Sequence, residues 1–155
     1  MTDPGRGFEP ATGDGAEAPS GRREAELRTA YEGLLQIRRL VNGPAGAAVP
    51  APWEVRQLRR AVALVLEAAG IPPSAMDGEG RRTRTGYRVS AAGCGPAAGA
   101  GPVEVTWVGP PGSGAAEEEQ ERLTACAAVL EELGWVCLLY RGPRRRRFLE
   151  VEPPR

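Results

Sequence analysis

The sequence predicts an α+β protein: an N-terminal helical pair followed by a ββαββ unit with a four-stranded, mainly antiparallel sheet. Three observations carry that expectation. In the first half, residues 23–42 and 52–69 repeat apolar side chains at three- and four-residue spacing, the period of a helix with one covered face. In the second half, residues 87–90, 103–108, 135–140 and 147–152 are short runs rich in β-branched, aliphatic and aromatic side chains, the signature of strands. Between the second and third runs lies one amphipathic helix, acidic at its start and closed by Gly134.

Residues 1–22 consist mainly of Gly, Pro, Ala, Asp and Glu with a single Phe. Such a stretch buries too little apolar surface to offset the entropy of ordering, so a disordered leader is expected. From Arg23, a stripe of Leu27, Ala30, Leu34, Ile37 and Val41, with Tyr31 beside it, opposes Arg28, Glu32, Gln36 and Arg39, which predicts the first helix. Gly33 inside it costs about 1 kcal/mol relative to Ala. Asn42, Gly43 and Pro44 end it. Pro52 is suited to the first turn of a second helix, whose stripe is Val55, Leu58, Val62, Val65 and Ala69. Ala61, Leu64 and Leu66 widen that stripe until only Arg56, Arg60 and Glu67 clearly face water, so this helix is expected to be largely enclosed. Gly70, Ile71 and Pro72 read as a left-handed cap, an apolar contact back to the last turn and a block to continuation. The pair, residues 23–70, is expected to cover the second face of the sheet or to pair with another copy.

Residues 71–86 form a polar connector, and residues 87–155 the ββαββ unit packed with the helical pair. Its helix opens with Glu117 and its neighbours, which complement the positive end of the backbone dipole. Leu123, Cys126, Ala127, Leu130 and Leu133 make its apolar stripe, opposite Glu118, Glu121 and Glu132. Gly134 stops it, and Trp135 can pack back onto the last turn. Residues 135–140 are apolar at both parities, the pattern of an interior strand covered on both faces. Residues 147–152 alternate, with Leu149 and Val151 on one parity and Phe148, Glu150 and Glu152 on the other, as expected of an edge strand with one wet face. The order of the strands within the sheet is not fixed by any of these patterns.

At 155 residues the chain suits one compact domain. The formal charge sums to zero, and all twenty basic residues are Arg, with no Lys and no His. With abundant Ala, Gly and Pro, that composition reads as codon bias in a high-G+C genome of actinobacterial type. Charge is nonetheless uneven: residues 115–133 carry six Glu against one Arg, and residues 134–155 six Arg against two Glu. The start has no signal-peptide pattern, and the longest apolar run, residues 61–66, is far too short for a bilayer. A cytoplasmic location is expected, with Cys94, Cys126 and Cys137 as reduced thiols.

The composition removes most familiar catalysis. Without His there is no imidazole base and no His-containing metal site; without Lys there is no Schiff base. Cys94, in a Gly-Cys-Gly-Pro loop, would need a carboxylate or Tyr as base, and Asp77 and Glu79 stand in a polar Gly-flanked loop that would not shift a pKa. Residues 109–114 are superficially like a phosphate loop, but they lack its Lys, and three Glu in the following turn would repel an anion. No catalytic residue, cofactor, metal or small-molecule substrate is therefore expected. The function expected is a small non-catalytic protein-interaction or self-association module. The alternative is accessory nucleic-acid binding through the hairpin tip, using Arg141, Arg144, Arg145, Arg146 and Arg147, aided by Arg82 and Arg84 and by their neighbours Arg81 and Arg88. The acidic exposed face of the preceding helix argues against a winged helix that reads DNA.

Overall fold

Two glycine stops frame the helices that build the core. The structure, a computed structural model, describes residues 8–17, 21–92, 101–142 and 146–154. Its helices are α1 (Arg22–Asn42), α2 (Pro52–Arg56), α3 (Leu58–Ala68) and α4 (Ala115–Glu132), with a 3-10 segment (Gly43–Ala48) after α1. Its strands are β1 (Ala75–Met76), β2 (Arg82–Arg84), β3 (Gly86–Ala91), β4 (Val103–Val108), β5 (Val136–Arg141) and β6 (Arg147–Glu152). Beyond α3, the Ile71 N–H donates to the Leu66 carbonyl at 3.2 Å with Gly70 left-handed. Beyond α4, the Trp135 N–H donates to Leu130 at 3.1 Å with Gly134 left-handed. Both are the closure expected from the Gly-apolar sequence. Gly134 has a second reason to be glycine, because a Cβ there would meet the Ala48 carbonyl.

The class is α+β. β3, β4, β6 and β5 form a four-stranded sheet in that order, every neighbouring pair antiparallel, and β1 and β2 make a small separate ladder within the connector. The order corrects two expectations. β6, expected at an edge, is interior, pairing with β4 through Leu149 and Val151 and with β5 along its whole length. β5, expected inside, is the edge. The chain leaves β4 through α4, re-enters the sheet one strand further out as β5, and the hairpin folds β6 into the gap. Alternation in β6 reported one wet face, which says nothing about how many strands flank it.

One face of the sheet holds the core: Tyr87 and Val89 of β3, Val103, Val105 and Trp107 of β4, and Leu149 and Val151 of β6 are all buried. α3 and α4 share that face, since Tyr87 Oη donates to the Ala63 carbonyl of α3 at 3.2 Å and its sheet partner Trp107 donates to Glu118 of α4 at 3.3 Å. α1 packs on α3 through Ala30 and Leu34, completing one continuous apolar cluster. The helical pair therefore does not cover the second face, where Glu104, Thr106, Glu150 and Glu152 are half-buried and Val136, Leu138 and Tyr140 are exposed. α2 and α3 were expected as one helix; Gln57, at φ −122° and ψ 53°, breaks them and lets Trp53 and Glu54 turn inward. Val41, expected in the α1 stripe, is exposed, as is Leu40.

The leader also departs from expectation over residues 8–17, which are docked. Phe8 is buried beneath the Arg23 guanidinium, 4.7 Å from its ring centre. The Ala11 N–H donates to Glu67 at 2.9 Å, Tyr87 Oη donates to the Ala11 carbonyl at 2.7 Å, and the Val89 N–H donates to Thr12 at 2.7 Å. Gly13 lies so close to β3 that a Cβ would strike the Tyr87 carbonyl. Composition undervalued this segment because its attachment is made mostly by backbone groups and one aromatic ring.

Candidate functional site

Of the arginines expected at a nucleic-acid surface, Arg144 and Arg145 lie outside the described residues, as does Cys94. The others do not gather into one free cationic patch. Arg146 donates through Nε to Glu119 at 2.7 Å and through a terminal nitrogen to the Trp107 carbonyl at 2.9 Å. Arg147 donates its backbone N–H to the same carboxylate at 2.7 Å, with its guanidinium at 3.8 Å. Arg82 holds Asp14 at 2.8 Å and bonds the Gly13 carbonyl; Arg88 holds the same carboxylate at 2.9 Å. Arg81 faces Glu79 at 3.1 Å. Arg84 and Arg141 are exposed, and among the described residues neither has an ion-pair partner. Arg82 and Arg146 both border the 109–114 loop, in a cleft of about 480 Å³. Each already carries a carboxylate, and Glu117 lines the same cleft, so its field is not that of an anion site.

Sequence reasoning missed the two carboxylates that neutralise this cluster. Glu119 stood in a run of three Glu assigned to the helix start, yet it is buried, facing the hairpin across the end of the sheet. Asp14 stood in the leader. A helix-wheel argument could have found Glu119, because it falls four residues before Leu123 on the covered stripe of α4.

A second polar node joins the helices to the sheet unit. Arg38 and Glu54, both fully buried, form a two-pronged ion pair at 2.8 and 2.6 Å. Arg38 also donates to the Ala47 carbonyl at 2.9 Å and to the Leu133 carbonyl at the end of α4 at 2.6 Å, while Glu54 accepts the Ala51 N–H at 2.9 Å. Trp135 packs beneath the guanidinium at 5.8 Å. The guanidinium and the carboxylate both have their partners inside the fold, whereas the Trp135 Nε1 beside them is buried with no hydrogen-bond partner among the described residues. The node is structural cement.

The cysteines of the described region offer no nucleophile. Burial pushes the Cys126 thiol up to about 12, and burial followed by the nearby Glu131 carboxylate does the same to Cys137. A thiol so raised holds its proton throughout the neutral range.

The open side of the sheet is different. On the β3 side, the Tyr87 N–H donates to Pro72 at 3.0 Å, the Ser74 N–H donates to Tyr87 at 2.9 Å, and Thr12 takes the Val89 N–H, so that edge is closed by the chain itself. On the β5 side no described segment pairs. There Val136, Leu138, Leu139 and Tyr140 keep 36, 45, 38 and 42 % of their surface exposed. Leu138 and Tyr140 stand on the outer face, where Tyr140 stacks on Phe148 at 5.4 Å; Leu139 points toward the helix face. The Ala48 carbonyl lies against Gly134 at the entry to β5, and the next residue, Val49, is 36 % exposed.

No protein-family model, curated protein or solved structure matches this chain. Its reading therefore rests on its own geometry. No described helix is long and apolar enough to cross a membrane.

Proposed function

We propose that this protein is a small non-catalytic module that works by protein contact, self-association included, through the β5 side of its sheet. The observation that supports this reading is the contrast between the two edges. One is closed by two segments of the chain's own backbone, residues 72–74 and Thr12; the other presents a five-residue apolar run, residues 136–140, with no backbone partner on its outer side among the described residues. Natural sheets guard open edges with charge, proline or a bulge, and β5 carries only Arg141, at its far end. A strand of this kind is an aggregation hazard unless a partner covers it. Nucleic-acid binding through the hairpin arginines ranks second, because Arg82, Arg88, Arg146 and Arg147 already face carboxylates inside the fold.

Affinity purification from the native host separates the two, with nuclease-treated and untreated arms and with the parent compared against Leu138→Lys and against a joint Arg84→Ser, Arg141→Ser variant. Protein contact predicts retention of protein, by the parent and not by Leu138→Lys, that survives nuclease. Nucleic-acid binding predicts salt-sensitive retention lost with the two exposed arginines. A parent that retains no protein and stays monomeric overturns the leading reading.

A further inference from the structure

Resting on that reading, we infer that the partner of β5 is β5 of a second copy, paired antiparallel across a two-fold axis near Leu139 to make one continuous sheet through both protomers. The phase of the β5–β6 ladder comes first. The Gly142 N–H donates to the Arg146 carbonyl at 2.6 Å, and hydrogen-bonded pairs alternate along an antiparallel ladder. Tyr140, Leu138 and Val136 therefore bond β6, and the N–H and C=O groups of Cys137, Leu139 and Arg141 point out of the sheet. An axis through Leu139 joins these outward groups to their own copies. It sets Cys137 against Arg141 of the second copy and, on the outer face, Leu138 against Tyr140 of the second copy. The apolar run is thus complementary to itself in reverse.

Charge selects a second copy over an unrelated strand. β5 begins beside the last turn of α4, where Glu131 and Glu132 are exposed, and it ends at exposed Arg141, at the base of the arginine tip. The strand is about 17 Å long at 3.4 Å per residue, so an antiparallel partner carries its basic end to this acidic end. Arg141 points to the helix face, as does Cys137, and Glu131 is close enough to Cys137 to act on its thiol. Arg141 of the second copy, placed opposite Cys137, therefore arrives at Glu131, and the reciprocal pair forms by symmetry. The opposite charge bias of residues 115–133 and 134–155 becomes, in the dimer, two matched contacts.

The test is sedimentation of the full chain from about 1 to 100 µM. The parent should run as a dimer. Leu138→Lys should run as a monomer with unchanged circular dichroism and melting, since its side chain leaves the outer face and touches no core. Arg141→Glu and Glu131→Arg should each weaken association at low salt by about tenfold, because each reverses two contacts. Mixing R141E with E131R should recover it, because in the mixed dimer both contacts again join opposite charges. A parent that stays monomeric at the top of the range overturns the second-copy inference, and nuclease-resistant protein retention in the host purification then still distinguishes the broader reading. A dimer indifferent to Leu138→Lys overturns β5 pairing while self-association stands. Failure of the mixed charge variants to recover overturns the antiparallel register.

Discussion

Single residues with several long-range partners carry the sharpest consequences. Arg38 joins α1, the 3-10 segment, α2 and the end of α4 through four hydrogen bonds from a fully buried side chain. Removing one partner of a buried pair strands the other charge, so Arg38→Met should lower unfolding free energy by about 3–5 kcal/mol. The double variant with Glu54→Leu should lose less than the sum of the two singles in a urea-melt cycle; additive losses would show that the pair is not coupled. Titrating groups act in one direction. Tyr87 is raised by burial, with Glu67 adding, and the Cys126 and Cys137 thiols are raised from 9.0 to about 12. A group raised in the folded state holds its proton longer there than in the unfolded chain. Its contribution is complete below the unfolded value and is lost as pH rises toward the folded one. The melting temperature should therefore be level to about pH 8.5 and fall between about pH 9 and 12, less steeply in Cys126→Ala. A level profile through pH 11 would contradict the buried placement of these groups.

At the scale of elements, α3 is the one that the sequence describes most completely. Seven of its eleven residues are buried, and its charges, Arg59, Arg60 and Glu67, are confined to the narrow side that remains. Leu58→Asp and Val62→Asp should each cost more than about 4 kcal/mol and abolish folded yield, whereas Arg56→Asp, on an exposed position of α2, should melt like the parent. Parent-like melting of both Asp variants would remove α3 from the core. The strands β3 to β6 were equally legible in extent, and in neighbourhood they were not. β5 and β6 exchanged the positions that their patterns suggested, because a pattern of apolar parities records which faces are dry and is silent on which edges are paired. The two apolar parities of β5 are nonetheless informative, since they describe a strand that expects cover which the described residues do not provide.

The whole molecule is held at one sheet edge by a strap that leaves few marks in composition. Residues 8–17 cross β3, insert Phe8 under Arg23, and place Asp14 against Arg82 and Arg88. Deleting residues 1–17 exposes the Phe8 site and frees the Val89 N–H of β3, while Pro72 and Ser74 still bond Tyr87. Losing the burial of one aromatic ring, about 2–3 kcal/mol, should lower the melting temperature by about 5 °C or more in a calorimetric scan. Unchanged melting would show that the strap is not bound.

Leu123, Cys126 and Leu130, the apolar positions of α3, and the Gly70 and Gly134 stops were set by local chemistry. Helical period and left-handed closure depend on residues within a few positions of one another, so the sequence by itself determined that the class is α+β and where its main helices and strands lie, but not the break between α2 and α3, the 3-10 segment or the β1–β2 ladder. The strand order, the open β5 edge, the docked residues 8–17, and the carboxylates Asp14 and Glu119 that neutralise the arginines were decided only in the tertiary structure. Each depends on groups far apart in the chain, such as Arg88 with Asp14 or Arg38 with Leu133, whose pairing is chosen by the burial and hydrogen bonding of the assembled fold.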